Sequence, residues 1–398
     1  MRGTGLTLVM ALAGTASCTD DDSSASSTDP ATSSSSAGGT TAADGSSSTA
    51  ADATDSTGAP DDPFDGEPLE VAPDGAWHWF DIEGMACADA RPSGIAVRSV
   101  EGSEGLVIYF KGGGACFNAS SCALSAPLMI TGPEATESNP DGVLDFEDPQ
   151  NPLLDYDVVY LPYCTGDVHG GAAPGTTVEG VAEPWDFVGN DNLLSALDRV
   201  VPTFPDASRV VVLGTSAGGI GALVGFPSIA RGWPEAETFL LDDSGMIFRD
   251  QYLAPCLQQL MRTTWGLDQV LPECEGCVTA DGGGLAQYLV YLADTYPSTH
   301  FGLVGSSRDR TMRIFYGYGN DECAPTTGLP DLGEQVLSEA LADLRAEVLA
   351  GRFATYVVDS DVHVWTTTPD FYTVESGGVA LRQWWDDFMA GEAVDVGP

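Results

Sequence analysis

Residues 210–221 read VVVLGTSAGGIG and contain a serine in a pattern that can support nucleophilic chemistry. The β-branched apolar run predicts a buried strand, and the small residues after the serine predict the start of a helix. The Gly-x-Ser-x-Gly motif between them is typical of a sharp turn that exposes the serine hydroxyl, and Gly214 and Gly218 leave room for that turn. We therefore expect Ser216 to be the nucleophile of an acyl transfer. The alternative is a structural turn rich in Gly and Ser.

A serine nucleophile needs a base, and histidine is the usual base near neutral pH. The chain has four histidines. Active groups in open α/β sheets gather at the carboxyl ends of the strands, which favours His363, five residues after a late predicted strand. His300 begins its strand and His78 precedes the sheet, so we expect both to be structural. His169 lies in a glycine-rich loop, and we expect a substrate contact or a loop residue there.

The histidine needs a carboxylate to orient it and to stabilise the imidazolium. When a serine on such a turn is followed by an acid and then by a histidine, the acid usually follows the second strand after the serine. That order selects Asp309 in the segment GSSRDRTM. The other candidates are Asp242, Asp243, Asp321 and Asp361.

Acyl transfer also needs N–H donors for the developing oxyanion. The N–H group of Ala217, directly after the nucleophile, is one predicted donor. Residues 111–116 (KGGGAC) follow a predicted strand and have the composition of a loop that supplies the second donor. Three glycines after a strand also suit a phosphate, but the Lys-Ser/Thr ending of a phosphate-binding loop is absent.

Alternating strand-like and helix-like segments from residue 95 onward predict an α/β fold, with a mostly parallel central sheet covered by helices on both faces. The expected central strands are residues 105–110, 157–161, 209–213, 238–241, 300–304 and 352–358. The expected helices are residues 190–201, 332–349 and 378–389, the last bearing core aromatics.

The amino terminus predicts export. Residues 1–18 combine Arg2, a short apolar stretch and small residues before Cys18, as in a signal peptide, and the stretch is too short to span a bilayer. Residues 15–18 (TASC) resemble a bacterial lipobox, which would make Cys18 a lipidation site; ordinary secretion is the alternative. Residues 19–62 are almost wholly Ser, Thr, Ala, Gly and Asp, and we expect a disordered linker before a single domain at 63–398.

The net charge and the cysteine count limit the classes of partner and the cell compartment that we expect. The formal charge of −44, from 15 basic and 59 acidic residues, argues against nucleic acid. Besides Cys18 there are eight cysteines, an even number suited to disulfides in an oxidising compartment: Cys87, Cys116, Cys122, Cys164, Cys256, Cys274, Cys277 and Cys323. The Cys274-x-x-Cys277 pair could instead be half a zinc site or a redox pair, but a second such pair and a nearby histidine are missing.

Five segments together resemble the pectin acetylesterase and Notum family of carbohydrate and lipid carboxylesterases. They are GGGACFNASSC at 112–122, YLPYCTGDVHGG at 160–171, LGTSAGGIGAL at 213–223, DDSG at 242–245 and SDVHVW at 360–365. The resemblance extends over about residues 77–388.

This resemblance implies a Ser216, Asp309 and His363 triad and oxyanion donors at Gly113, Gly114 and Ala217. It also implies the disulfides Cys87 to Cys164 and Cys116 to Cys122. Two departures from the family pattern are visible. The tryptophan usual at position 114 or 115 is replaced by Gly114 or Ala115, which implies a reshaped acyl pocket, and the acid segment 307–311 follows the pattern only weakly.

We therefore expect a secreted or surface-tethered bacterial serine carboxylesterase that removes acetyl or other small acyl groups from a polysaccharide. It should need no metal and no organic cofactor, act as a monomer, and meet a membrane only through an N-terminal lipid. One alternative is a lipid-ester or thioester hydrolase of Notum type. The other is a catalytically silent glycan-binding lipoprotein.

Overall fold

A computed structural model describes residues 64–126, 129, 132, 141–325 and 328–398. The predicted signal peptide, Cys18 and the predicted linker lie outside the described residues. In the described part, eight strands form one sheet in the order β1-β2-β4-β3-β7-β8-β9-β10. The strands of this sheet are β1 (Asp74–Ala86), β2 (Pro92–Val100), β3 (Leu106–Phe110), β4 (Asp157–Leu161), β7 (Arg209–Thr215), β8 (Glu237–Asp243), β9 (His300–Ser306) and β10 (Phe353–Val358). Two further pairs of strands form small ribbons: β5 (Ala173–Thr176) pairs with β6 (Trp185–Phe187), and β11 (Glu375–Ser376) pairs with β12 (Val379–Ala380).

The helices connect these strands. They are α1 (Ala119–Ser125), α2 (Gly189–Thr203), α3 (Ala217–Gly232), α4 (Pro255–Trp265), α5 (Gln287–Thr295), α6 (Arg310–Gly317), the irregular turn α7 (Asn320–Cys323), α8 (Glu334–Asp343) and α9 (Leu381–Met389). A π-helical segment, Leu344–Leu349, continues α8. No helix of the described residues is long and apolar enough to cross a membrane.

The sheet is mostly parallel and is packed on both faces. Strands β4, β3, β7, β8, β9 and β10 run parallel. At one edge β2 pairs antiparallel with β4, and β1 pairs antiparallel with β2. Alternate residues of β7 enter different cores: Val210 and Val212 pack in one core cluster, and Val211 and Leu213 pack in the other. The predicted α/β fold class is therefore confirmed.

The predicted elements match the structure closely at the centre of the chain. All six expected strands form, within two residues of the expected ends. The last expected helix begins later, at Leu381 instead of residue 378, because Val379–Ala380 pairs as β12. The strands β1 and β2 at the edge of the sheet and the helices α4 and α5 were not predicted.

Four disulfides tie the loops to this frame. Cys87 pairs with Cys164 and Cys116 pairs with Cys122, the pairs that the family resemblance implied. The structure adds Cys256 with Cys323 and Cys274 with Cys277. The last pair is a disulfide, so the zinc interpretation of this motif is not needed.

Candidate active site

Ser216 occupies a strained turn between β7 and α3. Its backbone φ is 57° and ψ is −122°, a conformation that a non-glycine residue holds only when its surroundings impose it. A Cβ atom at position 214 would lie 1.9 Å from the carbonyl oxygen of Gly218, and one at position 218 would lie 2.0 Å from that of Phe110. The two glycines of the motif are therefore required by backbone crowding. The turn places Ser216 at the carboxyl edge of the sheet.

Asp309 and His363 meet at the same edge of the sheet. Asp309 follows β9 and His363 follows β10, its neighbour. The Nδ1 atom of His363 lies 2.7 Å from Oδ2 of Asp309. The other oxygen of this fully buried carboxylate accepts hydrogen bonds from the N–H groups of Thr311 (2.9 Å) and Met312 (3.0 Å). Asp309 is thus fixed by the start of α6 while it orients the imidazole.

The environment of His363 favours the charged imidazolium. Burial lowers the pKa of His363, but the charge and hydrogen bond of Asp309, together with the charge of Asp243, outweigh burial and raise it above its usual value. Its Nε2 atom is buried and has no hydrogen-bond partner among the described residues. That nitrogen can therefore accept a proton from a hydroxyl group at the site.

The glycine loop that carries two of the predicted oxyanion donors lies against the serine turn, and Gly114 and Ala217 line the same pocket as Ser216. The glycine loop packs directly on the turn, since a Cβ atom at Gly112 would lie 2.9 Å from Cβ of Ser216. Among the backbone hydrogen bonds between loops and turns of the described residues, none is donated by the N–H groups of Gly113, Gly114 or Ala217. Buried N–H groups without a partner are rare in proteins, which is consistent with donors kept for a ligand oxygen.

The side chains of Lys111 and His169 form hydrogen bonds with backbone carbonyl oxygens of the glycine loop. Nζ of Lys111 donates to the carbonyl oxygen of Gly112 (2.8 Å), and burial lowers the pKa of this lysine to about 8. Nε2 of His169 lies 2.8 Å from the carbonyl oxygen of Lys111, and burial lowers the pKa of this histidine to about 4. His169 is therefore a neutral donor inside the core, which fits the expected loop residue better than a substrate contact.

An apolar pocket opens beside Ser216. Its volume is about 70 Å³, and its walls are aliphatic and aromatic side chains from α3, α4 and α6, among them Ile220, Met261 and Trp265. Tyr288 and Tyr316 also line it, and their hydroxyls are already bonded: Tyr288 donates to the carbonyl oxygen of Leu223 and Tyr316 to that of Met246. The pocket therefore offers hydrocarbon contact to whatever group is joined to the serine.

The missing tryptophan of the glycine loop has a structural explanation. Gly114 has a positive φ of 81°, and a Cβ atom there would lie 2.5 Å from Oγ of Ser125 and 3.2 Å from the ring of Phe315. A large side chain therefore does not fit at position 114. Phe315 and Ala115 instead line the pocket next to the serine.

The remaining candidates from the sequence lie elsewhere or act differently. His78 bonds Asp74 on β1, and His300 begins β9 at the opposite edge of the sheet, as expected. Asp321 lies in α7, and Asp361 is exposed. Asp242 and Asp243 end β8 and are buried. Sequence reasoning did not identify the pocket helices α4 and α5, because their apolar residues read as ordinary core.

A metal ion at this edge of the sheet would need several His, Cys, Asp or Glu side chains as ligands. The described residues contain no group of three or more His, Cys, Asp or Glu side chains placed to hold a metal ion. Ser216, Asp309 and His363 lie at the same edge of the sheet, next to the glycine loop. This arrangement suits covalent acyl transfer.

Comparison with protein families and curated proteins supports a carboxylesterase-type hydrolase. Residues 80–273 match the family model described as pectinacetylesterase. A palmitoleoyl-protein carboxylesterase from Xenopus laevis, notum1', is 25% identical over 185 residues, which are 44% of this chain and 37% of that protein. The human protein NOTUM, of the same description, is 26% identical over 172 residues, or 40% of this chain and 34% of its own. The chain therefore spans little more than a third of these relatives.

Two further proteins similar to this chain are an inactive relative and a relative with a solved structure. An inactive palmitoleoyl-protein carboxylesterase from Danio rerio, notum1b, is 27% identical over 101 residues, 24% of this chain and 73% of that protein. The structure of the Wnt deacylase Notum from Drosophila superposes with a TM-score of 0.60 at 18% identity and covers 80% of this chain and 95% of its own. At this identity, the likeness to the Drosophila structure shows a shared fold. The resemblance to the pectin acetylesterase and Notum family is confirmed by the family model and the curated relatives.

Proposed function

We propose that this chain, a member of the pectin acetylesterase/Notum family and hence a carboxylesterase-type hydrolase, works through a covalent acyl-enzyme on Ser216. Ser216 Oγ attacks the ester carbonyl while Nε2 of His363 takes its proton. The N–H groups of Gly113, Gly114 and Ala217 hold the oxyanion. His363 then returns the proton to the leaving alcohol, and water, deprotonated by the same nitrogen, releases the acid and the free serine.

The observation that carries this proposal is the 2.7 Å contact between His363 and Asp309 at the edge of the sheet where the strained Ser216 also lies. Ser216→Ala should lower kcat on 4-nitrophenyl butyrate by at least about 10³-fold, because the covalent route is lost. A fluorophosphonate should label the parent protein and leave the variant unlabelled. Full activity of Ser216→Ala would contradict the proposal, and an unlabelled parent would favour the silent glycan-binding alternative.

The acyl side of the substrate is apolar and longer than acetyl. The pocket beside Ser216 has walls of hydrocarbon, and its tyrosine hydroxyls are already bonded. The volume of about 70 Å³ exceeds the roughly 10 to 15 Å³ that one water-sized group needs, so the pocket has room for a chain longer than acetyl. Among 4-nitrophenyl esters from acetate to myristate, we expect kcat/KM to peak between butyrate and octanoate.

A second candidate is the removal of acetyl groups from a polysaccharide. It is favoured by the pectinacetylesterase family model, which matches the region of the glycine loop and the serine turn. Acetate release from xylan, pectin and bacterial glycans tests it directly. The charge of −44 should weaken attraction to a polyanion such as pectin, so we expect a neutral acetylated glycan to react faster at low salt. An acetate optimum in the ester series would favour this candidate over the first.

The place of action that we propose is outside the cytoplasm. Eight cysteines pair in four disulfides, which persist in oxidising compartments. The signal-like amino terminus supports export, and Cys18 supports a lipid anchor. Metabolic labelling with a palmitate analogue in a bacterial host should label the parent and spare Cys18→Ala.

A further inference from the structure

Asp243 connects the nucleophile to the loop that carries the base. It ends β8, and its backbone carbonyl oxygen accepts a hydrogen bond of 2.7 Å from the N–H group of Ser216. Its buried side chain accepts hydrogen bonds from the N–H group of Trp365 (2.9 Å) and from both the N–H group and the hydroxyl of Thr366 (2.7 Å each). One residue therefore contacts both the serine turn and the segment that follows His363.

Ser244 extends the same connection by one residue. Its hydroxyl donates to Oδ1 of Asp243 (2.9 Å) and accepts from the N–H group of Val364 (3.2 Å). Three consecutive N–H groups after His363 are thus bound by the Asp243 and Ser244 pair. Val364 has a φ of 71°, which is strained for a β-branched residue and persists only if neighbouring groups hold it. The loop conformation that presents the imidazole depends on these bonds.

The carboxylate of Asp243 is buried without a basic partner. Among the described residues it forms no ion pair with lysine or arginine, and its four hydrogen bonds all come from donors. Burial raises the pKa of Asp243 above its usual value, and the hydrogen bonds from Thr366, Trp365 and Ser244 offset only part of that rise. A buried anion of this kind gains most when a cation forms nearby, and His363 becomes that cation in each acyl transfer.

We propose that Asp243 is a second, positioning carboxylate of this active site: it fixes the His363 loop to the serine turn and stabilises the imidazolium by charge without touching the ring. This inference rests on the proposed function. It assigns separate roles to the two carboxylates: Asp309 orients Nδ1 directly, whereas Asp243 holds the backbone of the His363 loop and acts on the ring only by its charge.

Other charged side chains near His363 lie on its own loop or at the start of α6. Asp359 and Asp361 lie on its own loop; Arg308 pairs with Asp359 (3.3 Å), and the N–H group of Arg310 bonds the carbonyl oxygen of Asp361. Asp309 and Asp243 are the groups whose charges raise the pKa of His363.

The test compares Asp243→Asn with Asp242→Asn, the same substitution at the neighbouring buried carboxyl. An asparagine at 243 can keep the bonds to Trp365 and Thr366 through its amide oxygen but loses the charge. The rate per active site, counted by fluorophosphonate titration so that unfolded protein is ignored, is measured on 4-nitrophenyl butyrate from pH 5 to 9. For Asp243→Asn we expect kcat to fall by about tenfold or more, and the acidic limb of kcat/KM to move down by about one pH unit. Asp242→Asn should leave that limb in place.

A third variant separates position from charge. Thr366→Val removes one hydrogen bond to Asp243 and keeps the anion, so kcat should fall severalfold with an unmoved acidic limb. The inference is wrong if Asp243→Asn keeps the parent kcat and limb per active site while only its thermal stability falls. If Asp243→Asn does not fold, an unchanged kcat in Thr366→Val overturns it. Ser216→Ala activity distinguishes this result from failure of the proposed function.

Discussion

Nδ1 of His363 and Oδ2 of Asp309 lie 2.7 Å apart although 54 residues separate them in the chain. The register of the parallel strands explains the contact, because Val358 at the end of β10 pairs with Ser306 at the end of β9. Both loops therefore leave the sheet side by side. A further bond, from Nε1 of Trp365 to Oγ of Ser306 (2.9 Å), fastens the histidine loop to the same strand.

Asp309→Asn should lower kcat by about 10⁴-fold, because an amide cannot accept the Nδ1 proton as the carboxylate does and favours the wrong tautomer. The amide oxygen can still accept from Thr311 and Met312, so the fold should persist. The measurement is kcat on 4-nitrophenyl butyrate at pH 7.5 together with the melting temperature. Asp361→Asn, at an exposed position on the histidine loop, is the control and should keep the parent rate. More than a tenth of the parent activity in Asp309→Asn would contradict its role.

The acidic limb of the pH profile should have its midpoint above 6.5. The base must be neutral to accept a proton, and the charge of Asp309 holds the pKa of His363 above its usual value despite burial. Activity is therefore complete at higher pH and is lost as pH falls through that raised pKa. The measurement is kcat/KM for the free enzyme between pH 5 and 9. A midpoint below 6.5 would mean that burial outweighs the two carboxylates.

Ala115→Trp should shift the acyl preference toward acetate. Ala115 lines the pocket close to Ser216, so an indole there fills space that a longer chain would use. We expect kcat/KM for octanoate to fall at least about a hundredfold, while acetate changes by less than about threefold. Ala115→Ser, which adds little volume, is the matched control. Equal losses on both esters would mean that the acyl chain binds elsewhere.

Asp242→Asn should stabilise the protein at alkaline pH. Burial raises the pKa of Asp242 to about 8, so between its unfolded value and pH 8 the folded state binds more protons than the unfolded state. The unfolding free energy of the parent therefore falls with rising pH, by up to about 1.4 kcal/mol per pH unit from this group. Thermal melts at pH 5 and pH 8.5 should show a gap between variant and parent that widens at the higher pH. A constant gap would show that Asp242 does not titrate in this interval.

The strand, turn and helix around Ser216 could be predicted from the sequence because the residue pattern and the strand order agree there. The apolar run before Ser216, the two glycines and the following small residues all specify the same strand, turn and helix. With only four histidines, position at the end of a late strand was enough to select His363. Asp309 needed the strand order, since 59 acidic residues make local evidence weak.

The features that the sequence did not predict depend on contacts between distant segments. Phe315 fills part of the space of the missing tryptophan only because α6 packs against the glycine loop. Asp243 was visible as an alternative acid, but its bonds to Trp365 and Thr366 join residues more than 120 positions apart. The walls of the pocket likewise come from helices whose apolar residues have no distinctive spacing.

The disulfide between Cys256 and Cys323 joins the start of α4 to the segment after α6. Helix α4 supplies Met261 and Trp265 to the pocket, whereas α6 supplies Phe315 and begins at the residue after Asp309. The crosslink therefore couples the acyl-binding wall to the helix that carries the acid. Anyone exchanging this wall with that of a related enzyme would have to transplant both helices and both cysteines as one module.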